Sequence, residues 1–191
     1  MARIIKRVLI VLILLFVIIC VFIMFMVYQV SKNNKQLESN KVILTSQNGD
    51  NKALVLYQPS STNKTKDIAY EIAKGINDSG ISVTINYYGD YIGYDLSEYD
   101  IVVFGTPTYG GKTLDIVKKT IEDINLYKEN AKIIMFSVGI ANETPELSIM
   151  EEALQDNITV AMKKKFQTSD QNVLDEAYKY GDDIAKKIQA K

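Results

Sequence analysis

The segment Gln58-Pro59-Ser60-Ser61-Thr62-Asn63-Lys64-Thr65 places four hydroxyls between a short apolar run and a stretch with helical periodicity. Hydroxyls and unpaired backbone N–H groups that converge on a helix N-terminus favour an anion, because the helix dipole and the free donors act together there. Capping a helix takes one Ser or Thr. This loop is longer and richer in hydroxyls than capping requires, and phosphate is the anion it suits. A second loop, Gly105-Thr106-Pro107-Thr108-Tyr109-Gly110-Gly111-Lys112, sets a glycine pair beside an aromatic. Glycines let backbone approach a flat ring, and Tyr109 offers a stacking face.

Other chemistries are excluded by composition. The 191 residues include no His, no Trp and one Cys, so a Ser-His-Asp triad, a Cys-His pair and a His-ligated metal are all ruled out. Cys20 lies in an apolar run and has no partner for a disulfide or a thiolate cluster. Redox chemistry would therefore need a bound cofactor. Gly111-Lys112-Thr113 copies the end of a nucleotide-binding P-loop, but Thr106 stands at that motif's first glycine. Tyr57-Gln58 and Gly105-Thr106 stand where a receiver domain would need carboxylates for magnesium.

The elements that position these loops follow from periodicity. Ala53-Tyr57, Ile81-Tyr87, Ile101-Gly105, Lys132-Val138 and Ile158-Met162 read as strands, mostly β-branched and bounded by Gly, Asn, Asp or Ser. Ile68, Ala69, Ile72, Ala73 and Ile76 form one helical stripe, and Leu114, Val117, Ile121 and Ile124 another. Leu174, Ala177, Ile184, Ala185 and Ile188 form a third, and Thr144-Pro145 opens a further helix. Alternating strands and helices predict an α/β fold, a parallel sheet covered on both faces, with ligands at the strands' carboxyl ends. Lys163-Lys164-Lys165 then follow the last strand and read as its solvated end, or as a docking patch for a partner.

The pattern Ser60-x-Thr62-Asn63-x-Thr65 after a first strand resembles the phosphate loop of flavodoxins, with Asn63 where that family usually has Gly. Asn tolerates left-handed backbone next best after Gly, so the turn survives. The resemblance covers residues 53–191 and implies a flavodoxin-like domain, a five-stranded parallel sheet of order 2-1-3-4-5 with FMN as cofactor. Ser60, Ser61, Thr62, Asn63, Lys64 and Thr65 would then hold the phosphate, and Thr106, Pro107, Thr108, Tyr109, Gly110 and Gly111 would contact the ring. Phe136-Ser137-Val138-Gly139-Ile140-Ala141-Asn142 resembles the family's third flavin loop, also that of menaquinone-dependent protoporphyrinogen oxidases. Ser137, Val138 and Gly139 would face the pyrimidine edge. No residue offers itself as a general acid or base, and an electron carrier needs none.

Ahead of this domain, Val8 to Tyr28 is apolar or aromatic throughout, about 21 residues at about 1.5 Å each, the thickness of a bilayer's hydrocarbon core. No small-x-small cleavage site follows it, so residues 1–30 read as an uncleaved membrane anchor. Arg3, Lys6 and Arg7 precede the span, whereas Lys32, Lys35 and Lys41 are spread out after it. The positive-inside rule then puts the N-terminus in and the globular domain on the outer face. Residues 31–52 are rich in Asn, Ser, Gln and Lys and read as a polar tether. With a formal net charge of −1 that includes those three basic residues, the remainder is about four charges negative, which argues against nucleic acid. The same balance disfavours an anionic reduced flavin. The expected function is a membrane-anchored FMN protein that passes electrons to a redox partner protein or a quinone-type acceptor. The alternative is a tethered binding or interaction module that keeps the fold without flavin.

Overall fold

The computed structural model describes residues 2–46 and 50–189. The helix α1 (Ala2–Asn33) is followed by β1 (Val42–Leu44), β2 (Lys52–Tyr57), α2 (Lys64–Asp78) and β3 (Ser82–Tyr87). Next come β4 (Asp95–Leu96), β5 (Ile101–Pro107), α3 (Asp115–Asp123), β6 (Leu126–Tyr127) and β7 (Lys132–Gly139). The chain then forms α4 (Pro145–Glu152), β8 (Val160–Gln167) and α5 (Val173–Gln189). The main sheet runs β1-β3-β2-β5-β7-β8, and β4 pairs with β6 in a two-stranded ladder beside it. From β3 through β8 all pairings in the main sheet are parallel. The five expected strands therefore stand in the expected order.

The central strands have apolar residues on both sides because both faces are covered. Ala53, Val55 and Tyr57 of β2 face the layer of α2 and α5, and Leu54 and Leu56 face that of α3 and α4, as the period-two geometry of a strand requires. The two helices of the first layer touch backbone to backbone. A Cβ on Gly75 would lie 2.1 Å from the Tyr178 carbonyl oxygen, and one on Gly181 2.1 Å from that of Ile72. The stripe on α5 that fills this layer is Val173, Ala177, Tyr180, Ile184 and Ala185. Leu174, expected among them, is 38% exposed.

Two expectations from the sequence change. Within the segment read as a tether, Val42–Leu44 forms a sixth strand, antiparallel to β3, in the register Ile43↔Thr84. Val42 and Leu44 pack against the first core layer, and the added strand covers an otherwise open sheet edge. Residues 47–49 of the tether lie outside the described residues. At the opposite edge the last strand spans Val160–Gln167 instead of Ile158-Met162, so the three lysines are inside it. Lys163 pairs with Glu151 at 2.6 Å, Lys164 with Glu176 at 3.1 Å and Lys165 with Glu146 at 2.7 Å. Lysines blunt an edge strand while their aliphatic stems cover apolar surface.

The close helix contact gives a first test. Gly181→Ala would push a methyl against the Ile72 backbone, which cannot yield as a side-chain tip can, and should cost about 1–3 kcal/mol of stability. Urea unfolding followed by circular dichroism would measure this, and an unchanged midpoint would mean that the helices separate at little cost.

Candidate functional site

The polar loops meet at the carboxyl edge of the sheet. β2 ends at Tyr57, in register with Gly105 of β5, and Pro107 of β5 pairs with Val138 of β7. Adjacent parallel strands thus deliver their following loops to one place. Between these loops lies a cavity of about 850 Å³, within the range typical of small-molecule sites. Ser60, Ser61, Thr62, Lys64 and Thr65 line one end. Pro107, Thr108, Tyr109, Gly110 and Gly111 line it from β5, and Val138 and Gly139 from β7.

Three expected site residues lie elsewhere, each for an identifiable reason. Asn63 is the turn itself, at φ 58° and ψ −4°, immediately before α2. Its left-handed backbone is the conformation that the Asn-for-Gly replacement had to adopt. Thr106 is fully buried in β5, and its hydroxyl donates to the Pro107 carbonyl at 3.1 Å. Ser137 is fully buried in β7, and its hydroxyl donates to Glu146 Oε1 at 2.6 Å. Ile140, Ala141, Glu143, Pro145, Lys165 and Thr168 also line the cavity. Of these, Lys165 was hidden in a run of three lysines, and only the position of β8 exposes its role.

At the first end, Asn63 gives α2 no side-chain cap and the Thr65 N–H reaches Ser60 Oγ only at 3.5 Å, so the first turn still offers donors to another acceptor. Thr65 is fully buried, and its hydroxyl oxygen has no hydrogen-bond partner. A buried unsatisfied hydroxyl costs about 1–3 kcal/mol. A phosphate oxygen at this helix start would offset that cost, so the residues fit a phosphate. Ser60 Oγ lies 3.4 Å from Thr62 Oγ1 and holds the loop's curl.

At the second loop the chain reverses through Gly110 and Gly111, at φ 60° and 73°, and Lys112 N–H donates to the Tyr109 carbonyl at 3.2 Å. A Cβ on Gly110 would meet nothing within 4 Å. This glycine is therefore required by backbone conformation, with open space beside it for a ring. The Tyr109 hydroxyl accepts a hydrogen bond from Asn33 Nδ2 at 2.6 Å, so the last residue of α1 fixes the aromatic at the cavity. The third loop adds a buried charge pair. Lys165 Nζ donates to Glu146 Oε1 at 2.7 Å and to the Glu143 carbonyl at 2.6 Å. Burial opposes ionisation of Glu146, but the hydrogen bonds from Lys165 and Ser137 outweigh it and hold the carboxyl below its ordinary value of 4.5.

The end of α1 is tied in at several further points. The buried Gln58, directly after β2, donates through Nε2 to the carbonyls of Asn33 at 2.8 Å and Lys35 at 2.9 Å. Asn34 donates to Asp115 Oδ2 at 2.6 Å and accepts from the Ile116 N–H at 3.1 Å. It thereby caps α3, whose own N-cap position is held by Leu114. Val30 packs against the second core layer.

Comparison with known proteins agrees with this fold. A family model described as a flavodoxin domain matches residues 54–181. Among solved structures, a flavodoxin from the domain Archaea shares 22% identity at a TM-score of 0.52, over 72% of this chain and 99% of its own. Oxidised flavodoxin 2 from Bacillus cereus shares 20% at 0.54, over 71% and 99% respectively. Rubredoxin oxygen:oxidoreductase from Desulfovibrio gigas shares 18% at 0.58, with 75% of this chain covering 37% of that one. Comparison with curated protein sequences gives no match.

Two tests follow from the cavity. Thr65→Val removes a hydroxyl that no protein group uses, so FMN affinity should fall about tenfold or more, on the scale of a hydrogen bond to a charged group. Riboflavin, which lacks the phosphate, should bind variant and wild type alike, and equal losses for both ligands in a fluorescence titration would remove Thr65 from the phosphate site. For Glu146, whose carboxyl is held below 4.5 in the folded state, the stabilisation is complete above that pH and declines as pH falls through the folded value. The stability difference between wild type and Glu146→Gln should accordingly be largest near pH 7 and shrink below 4.5. A pH-independent difference in denaturant titrations would assign the effect to packing.

Proposed function

Since the chain belongs to the flavodoxin family, whose cofactor is FMN, we propose that it is a membrane-anchored FMN protein that passes electrons to an acceptor at the membrane surface. The observation that carries this reading is the bond between anchor and site. Asn33, at the end of α1, holds the Tyr109 hydroxyl, and Asn34 caps α3. From Ile4 to Tyr28 the large apolar side chains of α1 that are described are about half exposed or more. Among the described residues, this helix alone has the length and apolarity to cross a membrane, and such a surface is stable in lipid. With Arg3, Lys6 and Arg7 before the span, the domain lies on the outer face. The acceptor is a redox partner protein or a quinone-type molecule that reaches the cavity from the bilayer side.

In this reading Ser60, Thr62, Thr65 and the first-turn N–H groups of α2 bind the phosphate, with the helix dipole in place of an arginine. Tyr109 covers one side of the ring, oriented by Asn33. The Gly110 peptide, free of a side chain and next to open space, can turn to donate or accept a hydrogen bond at the ring. Bound FMN supplies the one- and two-electron transfer, and the protein contributes position and electrostatics. The Thr65 hydroxyl, buried at the cavity without a protein partner, supports the flavin reading over a module that keeps the fold without it.

The test uses the full chain purified in detergent, mixed with FMN and desalted. Retained absorbance between about 370 and 450 nm, bleached by dithionite, is the expected result. A protein that folds, stays colourless and refuses FMN would overturn the redox reading. Protease added to intact cells should cleave the domain, and cleavage only after lysis would reverse the orientation.

A further inference from the structure

We propose that the buried Lys165–Glu146 pair points its positive end at the cavity and thereby favours a bound ring that gains negative charge, which in a flavin is the reduced form. This inference rests on the FMN reading and goes beyond it, because a net-negative domain taken as a whole would disfavour that charge.

The geometry is specific. The Lys165 side chain is 6% exposed and that of Glu146 is fully buried. Lys165 lines the cavity, whereas Glu146 lies behind it, bonded to Ser137 in the sheet. The pair is neutral in sum but not in direction, since Lys165 is at the cavity wall and Glu146 is not. Little water reaches the pair to screen this dipole, so it acts more strongly than the exposed pairs of the surface. The other charged side chains at the cavity, among the described residues, are Lys64 at the phosphate end and Glu143.

The position of Lys165 excludes a phosphate role. The phosphate loop follows β2, while Lys165 sits on β8, three places along the sheet, about 14 Å away at about 4.8 Å per strand. A ligand with its phosphate at Thr65 therefore presents its ring, not its phosphate, to Lys165. Two further observations mark the same spot. The Thr108 hydroxyl oxygen is buried with no partner. Gly139 lies between the two groups, since a Cβ there would be 3.2 Å from Thr108 Oγ1 and 3.5 Å from Lys165 Cε. Lys165 has three donor hydrogens, with two acceptors placed in the protein. An unpaired hydroxyl and an ammonium on either side of a glycine suit the carbonyl-bearing edge of a ring.

Reduction of the ring by two electrons with uptake of one proton leaves one net negative charge, and dithionite supplies the electrons in the experiment. The full chain in detergent is loaded with FMN. Its midpoint potential is then measured against reference dyes, and the affinity for oxidised FMN by fluorescence titration. Lys165→Met should weaken binding of the reduced form about tenfold relative to the oxidised form, which lowers the potential by about 30 mV for a two-electron couple. Glu146→Gln, which leaves the ammonium uncompensated, should raise it. The double variant should return close to the wild-type value, and Lys165→Arg should preserve it.

Opposite signs for the two single changes are the signature, because a merely structural pair would move the potential the same way or not at all when either partner is lost. Shifts of one sign, or none, overturn the inference and leave FMN binding intact. A wild-type chain that binds no flavin overturns both. Should Lys165→Met fail to fold, Glu146→Gln and the neutral double variant still decide the sign, since replacing both members of a buried pair is better tolerated than removing one.

Discussion

A strand that is buried on both faces can carry polar groups only at its ends. β2, β5 and β7 are such strands, apolar from Ala53 to Tyr57, from Ile101 to Phe104 and from Ile133 to Phe136. Their parallel pairing sends every carboxyl end the same way, so the loops that follow are forced into one region of the surface. Hydroxyls from the β2 loop, glycines from the β5 loop and the backbone of the β7 loop meet there without any direct pairing between the loops having to specify it. Close packing of α2 on α5 through Gly75 and Gly181 keeps the cover tight on one side. The first turn of α2 is thereby held against the sheet.

Legibility in the sequence follows from the same constraint. A doubly buried strand is an unbroken β-branched run, and the loop after it is recognisable by contrast, so the hydroxyls of Ser60 to Thr65 and the Gly110-Gly111 pair could be read directly. Asn63 was legible because few residues other than Gly accept its backbone conformation. The edges of the sheet were not. β1 is three residues long, and its single outward residue, Ile43, is exposed, so nothing in its pattern separates it from a polar linker. β8 has a bulge against β7 between Ile133 and Ile134, and its lysines alternate between ion pairs on the surface and the buried contact at Glu146. Charge in a sequence signals exposure by default. Lys165 departs from that default because Glu146, 19 residues earlier, comes from a helix that the chain pattern alone does not place behind it.

The segment after α1 shows how polar residues can serve as structure. Asn33, Asn34, Ser39 and Asn40 look like linker composition, yet each makes a hydrogen bond to the folded domain. Ser39 and Asn40 meet Asn86 of β3, while Asn33 and Asn34 meet Tyr109 and the start of α3. A flexible chain would let the domain sample a wide volume around the end of α1, as linkers of this composition do. The bonded segment instead fixes which side of the domain faces the helix, and that side carries the cavity. A second, smaller groove of about 550 Å³ runs between Val27 and Val30 of α1 and the Tyr109-Gly110 turn.

Function in this molecule therefore depends on how two constraints combine. Sheet topology assembles the cavity, and the chain between α1 and the sheet aims it. The second is weak bond by bond, since each hydrogen bond from Asn33 and Asn34 is worth about 1 kcal/mol. They act together with Gln58, whose buried side chain takes two carbonyls from the end of α1, so releasing the helix would leave a buried amide donor unpaired next to β2. That penalty falls at the base of the Pro59 to Asn63 loop, because Gln58 is the residue between the last strand position of β2 and Pro59. The orientation of α1 and the conformation of the loop after β2 thus share one residue, and a disturbance of either is transmitted to the other through it.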